Sequence, residues 1–139
     1  MESTDQASQL GVGLRLIPES VLQLIRSSIK SAWALELLLF MRRQSARAWT
    51  IDQLTAELRS SPSLVASILI TLTNGGLVKE EASGLYRYGA ATPELDETVR
   101  ELDAINAERP LALIKEIISA PNDKLTSFVE AFKLRKDKE

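Results

Sequence analysis

Ser61, Ser63, Ser67, Thr71 and Asn74 recur within a stretch, 61–74, that contains no lysine, arginine, aspartate or glutamate. Hydroxyl and amide side chains bond to base edges and phosphate oxygens, and apolar neighbours such as Leu64 and Ile70 can touch a thymine methyl. Cations flank this stretch: Arg42, Arg43, Arg47 and Arg59 before it, Lys79 and Arg87 after it. Such residues can neutralise phosphates. The same arginines at 42–47 also suit a solvated helix end, so both readings stand at this point.

Other chemistries are poorly supplied. The 139 residues include no histidine and no cysteine, which removes the commonest zinc ligands, thiol nucleophiles and the usual base near neutral pH. No Asp/Glu spacing resembles a calcium loop, and Gly11-Val12-Gly13 is too short for a phosphate loop. An enzyme is therefore not expected, and no cofactor is implied. Apolar residues make up 45% and charged residues 26%, an ordinary globular balance. The apolar run at 35–40 is far too short to span a bilayer, so no membrane partner is expected. MESTDQASQL lacks a basic n-region, and the missing cysteines suit a reducing compartment; the expected location is cytoplasmic.

The net charge of −2 hides segregation. In 26–47, Arg26, Lys30, Arg42, Arg43 and Arg47 outweigh Glu36. In 94–108, Glu94, Asp96, Glu97, Glu101, Asp103 and Glu108 outweigh Arg100. One region would attract an anionic partner and the other would repel it.

The elements that must hold these residues can be read from capping and periodicity. Residues 1–16 lack periodicity and are expected to form a flexible arm. Pro18 opens a helix through Val21, Leu24, Ile25 and Ile29, broken near Ser27-Ser28. A second helix, Ser31 to about Arg43, is apolar nearly all round, with Trp33 expected in the core. Trp49 is expected to pack at the next helix junction. Thr50 and Gln53 form a capping box for a helix with Leu54 and Leu58 inward. Ser61-Pro62 starts the next, whose core face is Val65, Ile68, Leu69 and Leu72, and Gly75-Gly76 ends it. Leu77-Val78 and LYRY at 85–88 are predicted strands around a turn at Ala82-Ser83-Gly84, with Tyr86 and Tyr88 on one side. After Pro93, Leu95, Val99 and Leu102 mark an acidic helix; Pro110 opens another apolar helix. A last helix from Asn122 or Asp123 would carry Leu125, Phe128, Val129 and Phe132, and a basic tail, KLRKDKE, follows.

Residues 50–88 resemble the winged helix-turn-helix of MarR-type bacterial transcription regulators. The resemblance rests on Ser61-Pro62-Ser63, Val65 and Gly76-Leu77-Val78 at gapless spacing. It implies a mainly α fold with a small β-hairpin wing and flanking N- and C-terminal helices. On this reading 17–92 form the winged-helix body, and 93–139 form a helical extension packed on the body or in a dimer interface. The resemblance further implies a homodimer that grips duplex DNA, with Ser61, Ser63, Leu64, Ser67, Ile70, Thr71 and Asn74 on the recognition helix. Arg42, Arg43, Arg47, Arg59, Lys79 and Arg87 would meet phosphates. Three positions depart from the pattern. Thr55 stands where a small residue is usual, Arg59 where the turn glycine falls, and Ser67 where the recognition helix is usually basic. The wing tip also lacks the basic residue used in the minor groove. The neutral face around Leu64 and Ile70 leaves a second reading open, a winged helix that binds a protein partner.

Overall fold

The computed structural model describes residues 17–119. The expected N-terminal arm, the last helix near 122–132 and the basic tail lie outside these residues. In chain order the elements are α1 (Glu19–Ser28), α2 (Ala32–Arg43), α3 (Ile51–Leu58), α4 (Pro62–Asn74), β1 (Val78–Ala82), β2 (Leu85–Tyr88), α5 (Pro93–Glu108) and α6 (Pro110–Ser119). The fold is mainly helical with one antiparallel hairpin, in the order of a winged helix-turn-helix.

Local chemistry sets most of these boundaries. Thr50 Oγ1 accepts from Gln53 N at 3.1 Å, and Gln53 Oε1 accepts from Thr50 N at 3.0 Å, completing the capping box of α3. Ser31, Ser61 and Thr92 cap α2, α4 and α5 in the same way, each accepting from the backbone N–H three residues on. Such a cap contributes about 1 kcal/mol by satisfying an N–H that the helix itself leaves free. Ser31 was expected inside α2; its extended backbone and capping bond place it just before. Pro18 likewise precedes α1 rather than joining its first turn.

The core is centred on α2. Leu37, Leu38 and Met41 are fully buried, and they meet Val21 and Ile25 of α1 and Leu69 and Leu72 of α4 in one cluster. Burying each such side chain contributes roughly 1.5–3 kcal/mol. Val99 and Leu102 of α5 and Leu113 of α6 join the cluster, because both helices pack on α1 within the same chain. Trp33 departs from expectation. It is 39% exposed, because α2 turns Ala34, Leu35 and Leu37 inward and leaves its N-terminal turn at the surface. Trp49 is buried as expected, edge-on to Phe40 with ring centroids 5.0 Å apart.

α4 follows α3 through a tight turn at Arg59 and Ser60, and Gly75 ends α4 against α1. A Cβ at Gly75 would collide with the buried Ser28 Oγ, so glycine here permits the close approach of two helix ends. Gly76, at φ +78°, then turns the chain into β1. Lys79 lies opposite Arg87 and Glu80 opposite Tyr86, and Glu81 bulges out of register. Trp49 adds a one-residue third strand, exchanging two backbone hydrogen bonds of 2.7 and 2.8 Å with Tyr86. No described helix is long and apolar enough to cross a membrane.

Candidate nucleic-acid interface

The core face of α4 fixes what its outer face presents. With Val65, Ile68, Leu69 and Leu72 buried, Ser63, Ser67, Ile70 and Asn74 fall on one exposed stripe. Ile70 is 62% exposed, the most exposed apolar side chain of this helix. Leu64 and Thr71 border the stripe and are half-buried, and Thr71 Oγ1 donates weakly to Ser67 O at 3.5 Å. Ser61 is exposed, but its Oγ already accepts from Leu64 N at 3.3 Å. A new acceptor bond there would compete with the cap.

The six predicted phosphate-binding cations occupy three places. Arg42 and Arg43, at the end of α2, converge on Asp103 of α5: Arg42 Nη1 donates to Oδ2 at 3.2 Å and Arg43 Nη2 to Oδ1 at 2.7 Å. Arg43 also lines a groove of about 490 Å³ with Arg59, Glu36, Glu57 and Ile114. Arg59 is exposed, and its backbone is left-handed at φ 54°, ψ 47°. Arg47 lies over the Trp49 ring at 3.8 Å and donates to Gln53 Oε1 at 3.0 Å, which orients its guanidinium by stacking and hydrogen bonding.

The third place is the wing. Arg87 pairs with Glu81 at 2.6 Å and also donates to Ser45 O at 3.0 Å, tying β2 to the turn after α2. Lys79 stands opposite Arg87 and is exposed. The exposed Glu80 and Glu81 lie beside these cations, so the wing is close to neutral. Among the described residues, Arg59 and Lys79 are the two of the six with neither an ion pair nor a side-chain hydrogen bond, while Arg47 holds a hydrogen bond and a stack but no ion pair.

A polar seam joins the wing to α5. Tyr88 Oη donates to Asp96 Oδ1 at 2.6 Å. Burial pushes the Tyr88 phenol up, the hydrogen bond and charge of Asp96 push the same way, and Arg42 opposes them. Tyr86 is raised as well, by burial and then by Glu80. Asp96 and Asp103 were read from sequence only as part of a repelling acidic helix. Asp96 meets Tyr88 only eight residues back, across the turn after β2, whereas Asp103 lies sixty residues from Arg43. Only the opposite charge balance of the two segments hinted at it. Among the described residues, no group of acidic side chains gathers as a metal site.

No protein-family model and no curated protein matches this chain. Among solved structures, it is similar to a candidate transcriptional regulator protein from Pseudomonas aeruginosa, at 20% identity and a TM-score of 0.42, over 96% of each chain.

Proposed function

We propose that this chain is a DNA-binding transcription regulator of the MarR-like type, working as a homodimer in the cytoplasm. One observation carries the reading: α4 is the second helix of a capped helix-turn-helix and presents a continuous exposed stripe of Ser63, Ser67, Ile70 and Asn74. In the groove these groups would read base edges through neutral hydrogen bonds and an apolar contact. Arg59 and Lys79 would meet phosphates directly, and Arg43, Arg47 and Arg87 would do so by exchanging their present partners. The outward Leu111 and Ile118 of α6, 76% and 69% exposed, support a dimer face there. A two-fold dimer would set two copies of α4 about 34 Å apart, one turn of DNA.

Charge-poor binding has a measurable consequence. Counting only Arg59 and Lys79, which have no partner to exchange among the described residues, both protomers supply four phosphate contacts, for which log K falls against log salt with slope about −3.6. Affinity then drops about 150-fold between 50 and 200 mM salt. Retardation of sheared genomic DNA at low salt, weakened by Arg43→Ala or Arg59→Ala, tests the reading. Absence of any retarded fragment defeats it.

The exposure of Ile70 favours a second reading, a winged helix that binds a protein partner through α4. Ile70→Glu would then abolish capture of that partner while leaving the melting temperature unchanged, since Ile70 contributes little to the core. Undiminished capture counts against it.

A further inference from the structure

Arg42 and Arg43 are neighbours on α2, yet their guanidinium groups turn to the two oxygens of one carboxylate. Arg42 Nη1 takes Asp103 Oδ2 at 3.2 Å, and Arg43 Nη2 takes Oδ1 at 2.7 Å. A single negative charge shared over two oxygens is also what a phosphodiester offers, and planar guanidinium groups bind both in the same geometry. The Asp103 side chain is only 20% exposed, while that of Arg43 remains 55% exposed. One arginine donor is left over: Arg42 Nε is buried and has no hydrogen-bond partner among the described residues. A buried N–H without an acceptor is costly, and Asp103 bonds Arg42 through Nη1 instead.

We infer that Arg42 and Arg43 form an oxyanion site for a phosphate group, which the protein's own Asp103 fills in the free chain. The inference rests on the DNA-binding reading for its natural ligand, the backbone phosphate, but the site itself is defined by α2 and α5 alone. Asp103 is then an affinity-setting residue. It holds two arginines in position and offsets one of their two charges until a phosphate takes its place. This accounts for the opposed charge of the segments 26–47 and 94–108, which the α4 stripe leaves unexplained.

The test is Asp103→Asn, which preserves shape, keeps one of the two acceptor oxygens and removes the charge. Two probes are used, a genomic DNA fragment and immobilised heparin. Glu108→Gln, on the same helix and without an ion pair among the described residues, controls for net charge. Asp103→Asn is expected to bind DNA about 2- to 5-fold more tightly than wild type, the range of one ion pair near the surface released. Its salt slope steepens by about 0.9 per protomer. It should leave heparin at higher salt than Glu108→Gln, and the gain should vanish in Asp103→Asn with Arg43→Ala.

Equal heparin elution of the Asp103 and Glu108 variants overturns the site, whatever the DNA result. Later elution of Asp103→Asn with no DNA binding by any variant keeps the site and defeats the DNA reading. A second measurement on the wild-type chain is indifferent to folding of the variant. On titration with inorganic phosphate, the Arg42 and Arg43 Nε–H resonances should move together and saturate; unmoved resonances overturn the inference.

Discussion

Replacing Arg59 by glycine should move stability and binding in opposite directions. Arg59 is the one non-glycine residue with positive φ among those described, at φ 54° in the turn between α3 and α4. A left-handed backbone costs a residue with a Cβ about 1–2 kcal/mol, from the approach of Cβ to the following carbonyl. Glycine removes that cost and returns part of it as lost freedom, leaving a gain of about 1 kcal/mol. The turn survives the change, because the Arg59 backbone N–H that donates to Ala56 O at 3.3 Å remains. For a chain of this size the gain raises the melting temperature by about 4 °C. Binding should weaken. One lost phosphate contact per protomer makes the salt slope shallower by about 0.9 per protomer, with most of the lost affinity at low salt. Arg59→Ala separates the effects, since it removes the charge and keeps the strain. It should bind like Arg59→Gly and melt like the wild type. Thermal melts and DNA retardation across a salt series read both. Melting of Arg59→Gly at or below wild type would show that the turn stores no strain. A wild-type salt slope in both variants would show that Arg59 meets no phosphate.

Two other expectations concern the frame around α4. Gly75→Ala has no backbone penalty at φ −82°, but its methyl meets buried Ser28, and such overpacking costs about 1–3 kcal/mol in urea unfolding. Adding Ser28→Ala should recover most of that loss, and simple additivity of the two would refute the contact. Folding raises the Tyr88 pKa from 10.0, so the native chain holds the phenolic proton where the unfolded chain has lost it. The contribution of Tyr88 is then fully present below pH 10 and is lost as the pH rises past it. Tyr88→Phe should flatten that decline in chemical denaturation across pH 10; an unchanged decline would place its cause elsewhere.

Features local in the chain were legible in the sequence. Thr50 and Gln53 are three residues apart, and Val65, Ile68, Leu69 and Leu72 repeat at one helical period, so capping and burial followed from spacing alone. The exposed stripe of α4 is the complement of that core face and was legible for the same reason. Contacts between distant segments left no such mark. Trp49 pairs with Tyr86 through backbone atoms, which are the same in every residue. Arg42 and Arg43 read as free cations because nothing near them in sequence is acidic; Asp103 reaches them only once α5 has packed on α1. Trp33 was assigned to the core on size, yet its place on the first turn of α2 leaves it partly outside. The stabilising role of the acidic segment is thus a tertiary fact, invisible to periodicity.

Ser67 offers one substitution that divides the two functional readings. It is exposed near the middle of the α4 stripe, at the position where the MarR-type pattern is usually basic. Ser67→Arg leaves the core face untouched, and arginine is at least as good a helix former as serine, so stability should stay within about 0.5 kcal/mol. If α4 lies in a DNA groove, the new guanidinium finds a phosphate or a guanine edge. Affinity should then rise, and the salt slope should steepen by up to about 0.9 per protomer. If α4 instead meets a protein through Ile70, one turn away, the same guanidinium must be desolvated beside an apolar contact without a built partner. Binding should then fall while the melting temperature holds. The sign of one affinity change therefore separates the readings. A DNA affinity that falls in Ser67→Arg at unchanged stability would show that the stripe is not turned toward a groove, and the proposal for α4 would fail on its own best residue.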